Sequence, residues 1–195
     1  MALVLNGSGT IQSDDITLSG NANVTGAFAV TGDMGIATAD LPTGSILQVV
    51  SVTKTSRFTT TSTSFTDVTG FSATITPSSA SSKILVIAST TGACNSSTGP
   101  VFINLTRAGS SVYIGDAVNS AVRCSSYLTS ASNDKAQAMS INYLDSPATT
   151  SAVTYQVQIR SESGSIVSVG GSTNTSVANV SGATPSTILL LEVAG

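Results

Sequence analysis

Histidine and tryptophan are absent from these 195 residues, and only 17 residues are charged: seven Lys and Arg against ten Asp and Glu. Without histidine there is no imidazole acid–base site, no His-containing catalytic triad and no His-ligated metal. A formal net charge of -3 supplies no basic footprint for nucleic acid or anionic lipid. Five Pro and 17 Gly exclude collagen. The longest apolar runs, residues 84–88 and 188–191, fall far short of the roughly 20 residues of a membrane-spanning helix, so no membrane span is expected. The first seven residues carry neither a basic stretch nor a long apolar one, so no signal peptide is expected and synthesis in a cytosol is. Only two cysteines occur, Cys94 and Cys124, without C-x-x-C spacing. They suit free thiols packed as small hydrophobes, with a disulfide as the alternative.

What is present is hydroxyl and apolar. Ser and Thr make up 62 residues, and 41% of the chain is hydrophobic, which is too apolar for a disordered segment. Gly20, Gly26 and Gly32 recur every six residues and close the hexads DITLSG, NANVTG and AFAVTG. The second and fourth positions of each hexad are apolar: Ile16 and Leu18, Ala22 and Val24, Phe28 and Val30. This is a period-two stripe followed by a corner at which glycine permits positive φ. Three hexads are too few to bury their own stripe. Wound about an axis shared with two further copies, Ile16, Leu18, Val24, Phe28 and Val30 become covered. Each then contributes on the order of 1–2 kcal/mol at about 25 cal/mol per Å². A flexible Gly/Ser/Thr linker is the alternative reading.

Turn signals without a sustained period fill residues 33–45, which places a domain boundary between 44 and 45. Beyond it, alternation predicts strands. Phe71, Ala73 and Ile75 share one face. Val101, Ile103 and Leu105 oppose Asn104 and Thr106. Met139, Ile141 and Tyr143 alternate with Ser140 and Asn142. Val153, Tyr155, Val157 and Ile159 alternate with Thr154, Gln156, Gln158 and Arg160. The continuous runs 84–88 and 188–193 read as strands covered on both faces, central in a sheet or at a subunit contact. Residues 107–111 and 162–165 have hairpin spacing, and the polar stretch 131–138 reads as a loop rather than a helix. Nine or ten short strands follow from this count. The fold class expected is all-β: an extended repeat stem over 1–44, then an antiparallel β-sandwich or jelly roll over 45–195.

Little in the sequence carries chemistry. Asp14 and Asp15 are adjacent, but they read as a solvated turn and not as a split-pKa pair. Asp33 and Asp40 lack the D-x-D-x-D spacing of a calcium loop. No base is available to activate a serine, and neither G-x-S-x-G nor a phosphate-binding P-loop occurs. No catalytic residue, cofactor or metal is therefore expected. Phe65, Phe71 and Phe102 fit strand patterns as core residues. Tyr113, Tyr127 and Arg123 read as core or subunit-contact residues, with a glycan site as the alternative. The polar stretches 91–100, 125–135 and 170–185 read as solvated loops. Leu3, Val4 and Leu5 form an apolar strip ahead of Asn6-Gly7-Ser8-Gly9. Such a strip needs cover, either from the protein's own stem or by insertion into another protein through strand addition.

The segment LSGNANVTGAFAVTG (18–32) resembles the Val-Thr-Gly repeats of fibre and appendage proteins of tailed bacteriophages. MALVLNGSGTI (1–11) resembles the N-terminal stretches of phage structural proteins, notably those of marine and cyanobacterial phages. ILQVVSVTKT (46–55), FTDVTGFSATITPSSASSKILV (65–86) and PSTILLLEVAG (185–195) resemble a domain recurring in the same proteins. The resemblance implies a virion protein, commonly trimeric, attached by its N-terminal part and carrying a β-rich distal domain. The expected partners are two copies of itself, a capsid, portal-region or tail protein held through Leu3, Val4 and Leu5, and, for a binding module, the host cell surface.

Overall fold

Side chains alternate across a pleated strand, and this rule governs the described part of the chain. The computed structural model describes residues 41–97, 99–129, 135–174 and 182–195, all within the unit Ala37–Gly195. Eleven strands lie among them: β1 (Ile46–Lys54), β2 (Phe58–Thr60), β3 (Thr66–Ile75), β4 (Lys83–Cys94), β5 (Pro100–Arg107), β6 (Ser110–Val112), β7 (Ser126–Thr129), β8 (Gln137–Asp145), β9 (Val153–Ser161), β10 (Val167–Val169) and β11 (Ser186–Val193). No helix occurs among the described residues. Gln137 and Ala138, at the end of the expected loop 131–138, open β8.

The larger sheet runs β1-β11-β4, with β8 on the other edge of β4 and β10-β2 beside the far end of β4. The smaller sheet runs β3-β9-β5, with β6 and β7 sharing the free edge of β5. Every pairing is antiparallel. With the eight principal strands numbered in chain order, the sheets read 1-8-3-6 and 2-7-4-5, the double Greek key of a jelly roll.

Between the sheets lie Val68, Phe71, Ile75, Ile84, Val86, Ile103, Leu105, Ile141, Tyr155, Val157, Ile159, Ile188 and Leu190. The expected inward faces of β3, β8 and β9 are the observed ones. The loop between β5 and β6 is Ala108-Gly109, with φ of 47° and 82°. Two central residues at positive φ define a type I′ hairpin, so this turn is as expected.

Three expectations are corrected. Residues 162–165 make no hairpin, because β9 belongs to the smaller sheet and β10 pairs with β4 and β2 in the larger one. The segment arches between layers, and turn spacing alone does not distinguish an arch from a hairpin. Asn104 and Thr106 lie on the face opposite Val101, Ile103 and Leu105, as expected, and that face is buried too. Asn104 donates to Ser111 Oγ at 2.8 Å and to Gln158 Oε1 at 3.3 Å, so protein partners replace solvent. The stretches 91–100 and 125–135 are not simply loops: β4 continues to the buried Cys94, and β7 occupies 126–129. Phe65 is only half-buried and lies outside the core cluster, whereas Phe71 and Phe102 are buried as expected, Phe102 on the outer side of β5 and not between the sheets. The thiols of Cys94 and Cys124 are free.

Candidate functional site

The stem residues Ile16, Leu18, Val24, Phe28 and Val30 and the strip Leu3, Val4 and Leu5 lie outside the described residues. Within the sandwich, three polar constellations merit a chemical reading.

The first joins the two sheets. Asp145 ends β8 in the larger sheet, while Arg107 and Tyr155 come from β5 and β9 in the smaller one. Arg107 Nη1 lies 2.8 Å from both carboxylate oxygens. The Tyr155 hydroxyl donates to Oδ2 at 2.6 Å and that of Tyr143 to Oδ1 at 3.3 Å. Burial, then the bond to Asp145, pushes the Tyr155 hydroxyl far above the usual phenol range. Burial also raises Tyr143, with Asp145 adding to it. Every strong donor is directed at one carboxylate that is 4% exposed. The cluster is therefore a clasp between layers, its carboxylate saturated by donors from both sheets.

The second centres on Glu192, fully buried in β11. Its Oε1 accepts from the Ser78 backbone N–H at 2.6 Å and from the Ser78 hydroxyl at 2.7 Å, and its Oε2 from Gln48 Nε2 at 2.6 Å. Burial pushes its carboxyl up, but these hydrogen bonds outweigh it and hold the group below the ordinary carboxylate range. A carboxylate so stabilised is a weak base, so it fixes the turn at Ser78 and does not activate that hydroxyl. Burial likewise raises the Cys124 thiol, with Arg160 pulling it partly back. A raised thiol is a poor nucleophile at neutral pH. No group of His, Cys, Asp and Glu suited to a metal occurs among the described residues.

The third constellation lies on the outer face of the smaller sheet. Phe102 on β5 is in register with Tyr127 on β7 and Arg160 on β9. The Phe102 and Tyr127 rings are 5.9 Å apart. The Arg160 guanidinium carbon sits 5.5 Å from the Phe102 ring and 5.9 Å from that of Phe65. This makes a cross-strand row of two rings, one cation and a third ring. Beside it is a groove of about 400 Å³ lined by Pro100, Phe102, Ala121, Val122, Tyr127 and Glu162. Tyr127 is 64% exposed, and Glu162 is held 3.4 Å from Arg160. An exposed ring in a groove with a carboxylate offers a stacking face and a hydrogen-bond acceptor to a planar or sugar-like surface.

The three residues singled out in the sequence have separate neighbours, and neither Tyr127, on β7, nor Tyr113 is a core residue, being 64% and 49% exposed. Tyr127 meets Phe102, Tyr113 stacks on Tyr143 at 5.0 Å, and Arg123 donates to the Gly115 carbonyl at 2.7 Å. Phe65, Phe102, Arg160 and Glu162 were missed as site residues. The signal for Phe102 and Arg160 was their common outward parity on paired strands, which requires the register; Phe65 and Glu162 lie just before β3 and just after β9.

No protein-family model matches the sequence, and no curated protein is similar to it. Among solved structures, a chain of infectious bursal disease virus Gt strain is similar over 86% of this chain, at 13% identity and a TM-score of 0.36. The match spans 42% of that viral chain. The overlap is loose, and the functional reading rests on the residues.

Proposed function

We propose that this chain is a non-enzymatic structural protein of a bacteriophage virion, a short trimeric fibre or appendage projecting from the head or tail. In this reading residues 1–44 supply attachment and stem, and residues 45–195 form the outward sandwich. Leu3, Val4 and Leu5 insert into a capsid, portal-region or tail protein, and the Gly-Ser-Gly segment behind them absorbs a symmetry mismatch. Assembly takes place in the host cytoplasm and the working location is the particle. The carrying observation is the hexad repeat, whose apolar stripe needs several copies to be buried and whose residues resemble phage appendage repeats. The jelly roll supports it as a fold that serves in capsids, and so does the fixed, enclosed state of the polar clusters. The test is a virus lacking residues 2–9 of this protein. Its chain should still fold and associate but be missing from purified particles; incorporation at the normal level overturns the attachment role.

The second reading is a receptor-binding module, favoured by the exposed Tyr127 ring and its groove. Tyr127→Ala should then abolish adhesion of the purified protein to host cells. Unchanged adhesion removes the groove from that role.

A further inference from the structure

Between β6 and β7 the chain leaves the smaller sheet, and residues 115–121 are all exposed. Among the described residues, the hydrogen bonds of 114–124 stay inside this excursion. Gly115 N–H donates to the Cys124 carbonyl at 3.3 Å, Ala121 N–H to the Val118 carbonyl at 2.9 Å, and Arg123 Nε to the Gly115 carbonyl at 2.7 Å. At the far end Ser125 returns to β5, its N–H donating to the Ile103 carbonyl at 3.0 Å and its hydroxyl accepting from Leu105 N–H at 2.9 Å. At the near end the tie is Tyr113, whose ring stacks on Tyr143 of β8, in the other sheet, at 5.0 Å and 24° from parallel. The ring is carried on a left-handed backbone, with φ of 53° at Tyr113, and Asn119 has φ of 47°. A bulky residue rarely adopts this conformation. The strain and the gain from an aromatic stack are of similar size and opposite sign, so a narrow margin holds the excursion in place.

The excursion borders two hollows. Tyr113, Ile114 and Gly115 wall one of about 300 Å³, with Cys124 and Ser125 behind them. Ser120, Ala121 and Val122 wall the groove of about 400 Å³ beside Tyr127. We propose that residues 113–125 are a strap latched by the Tyr113–Tyr143 stack, and that releasing the latch opens the groove beside Tyr127. The opposite walls, Pro100, Phe102 and Tyr127, lie on paired strands and cannot yield without breaking a ladder. The strap shares no ladder and can move as a unit on its internal bonds. Tyr143 also donates to Asp145 of the interlayer clasp at 3.3 Å, so access to a groove on the smaller sheet is set by a residue rooted in the larger one. The inference fixes access to the groove and is independent of what the groove takes.

Cys124, half-buried behind the strap, is a native reporter of its release, and the fully buried Cys94 reports opening of the whole fold. Reaction of each thiol in the full chain with N-ethylmaleimide is timed by peptide mass spectrometry. Tyr143→Leu removes the ring under Tyr113 and should speed Cys124 about fivefold, with Cys94 unchanged. Tyr143→Phe keeps the ring, loses the bond to Asp145 and should match the wild type. Tyr113→Leu removes the stack from its exposed side, carries the same expectation as Tyr143→Leu, and decides the matter if that variant does not fold. In a Cys124→Ser chain, Val122→Cys reads the groove wall and should be speeded by the same factor when Tyr113→Leu is added. Cys124 rates in the leucine variants equal to wild type overturn the latch. Equal acceleration in Tyr143→Phe also overturns it, since the clasp and not the stack then holds the strap. Parallel acceleration of Cys94 shows opening of the whole fold and overturns the strap. A Val122→Cys thiol that keeps its rate overturns the gating of the groove.

Discussion

The carboxylate of Asp145 accepts the hydroxyl of Tyr155 at 2.6 Å, and this bond crosses from one sheet to the other. Arg107 neutralises the same carboxylate. A sandwich is otherwise held by non-directional apolar contact. The Arg107–Asp145–Tyr155 clasp adds a fixed point that sets how the layers align.

Removing the acceptor is expected to cost more than removing one donor. Asp145→Ala leaves the buried Tyr155 hydroxyl unpaired and should destabilise the fold by about 3 kcal/mol. Tyr155→Phe removes one bond to a charged group and should cost about 1–2 kcal/mol. The double variant should lose less than the sum, since the two act on one contact. Urea denaturation followed by circular dichroism measures all three.

Tyr155 also predicts an alkaline limit. Its folded pKa is raised by burial and by Asp145, while the unfolded phenol titrates near 10. The stabilisation it provides is fully present below about pH 10 and is lost as pH rises beyond. Thermal midpoints of the wild type should fall more steeply above pH 10 than those of Tyr155→Phe; parallel curves would contradict the assignment.

Glu192 predicts the opposite limb. Its folded pKa is lowered, so its contribution is present above the unfolded value of about 4.3 and is lost as pH falls through the folded one. Glu192→Gln should be less stable than wild type at pH 7, with the gap closing towards pH 3. A gap independent of pH would show that the charge is not what Ser78 and Gln48 stabilise.

At Tyr127, exposure separates function from stability. Tyr127→Ala should change unfolding free energy by less than about 0.5–1 kcal/mol, as expected of an exposed residue whose ring makes one aromatic contact. A larger loss would show that the ring serves to hold β7 against β5 and not to meet a partner.

The parity of the strands was legible because burial on one face leaves period two in the residues themselves. Phe71, Ala73 and Ile75, and the run from Val153 to Ile159, could be placed facing inward without a structure. Whether the Asn104 face is wet or buried was not legible, because a buried polar face with side-chain partners has the same letters as a wet one. Phe102 is buried as expected, but an aromatic on a strand fits either face, and only its pairing with Tyr127 and Arg160 puts it on the outer one. The clasp was invisible for a related reason. Arg107, Asp145 and Tyr155 are unremarkable singly, and Asp145 continues the inward parity of Met139, Ile141 and Tyr143 where an apolar residue would be expected. The apolar runs at 84–88 and 188–193 did mark central strands, β4 and β11, but the outward Leu85, Ile87, Leu189 and Leu191 are half-buried and not covered in the single chain.

Three-copy assembly is read most directly from the mass of the full chain in solution. Sedimentation equilibrium at micromolar concentration should give three times the 19.4 kDa of one chain, and Val24→Asp or Val30→Asp should lower that mass while Thr25→Asp does not, because only the first two place charge on the proposed axis. A stable species of one chain's mass for the wild-type protein would contradict the assembly on which the virion role depends.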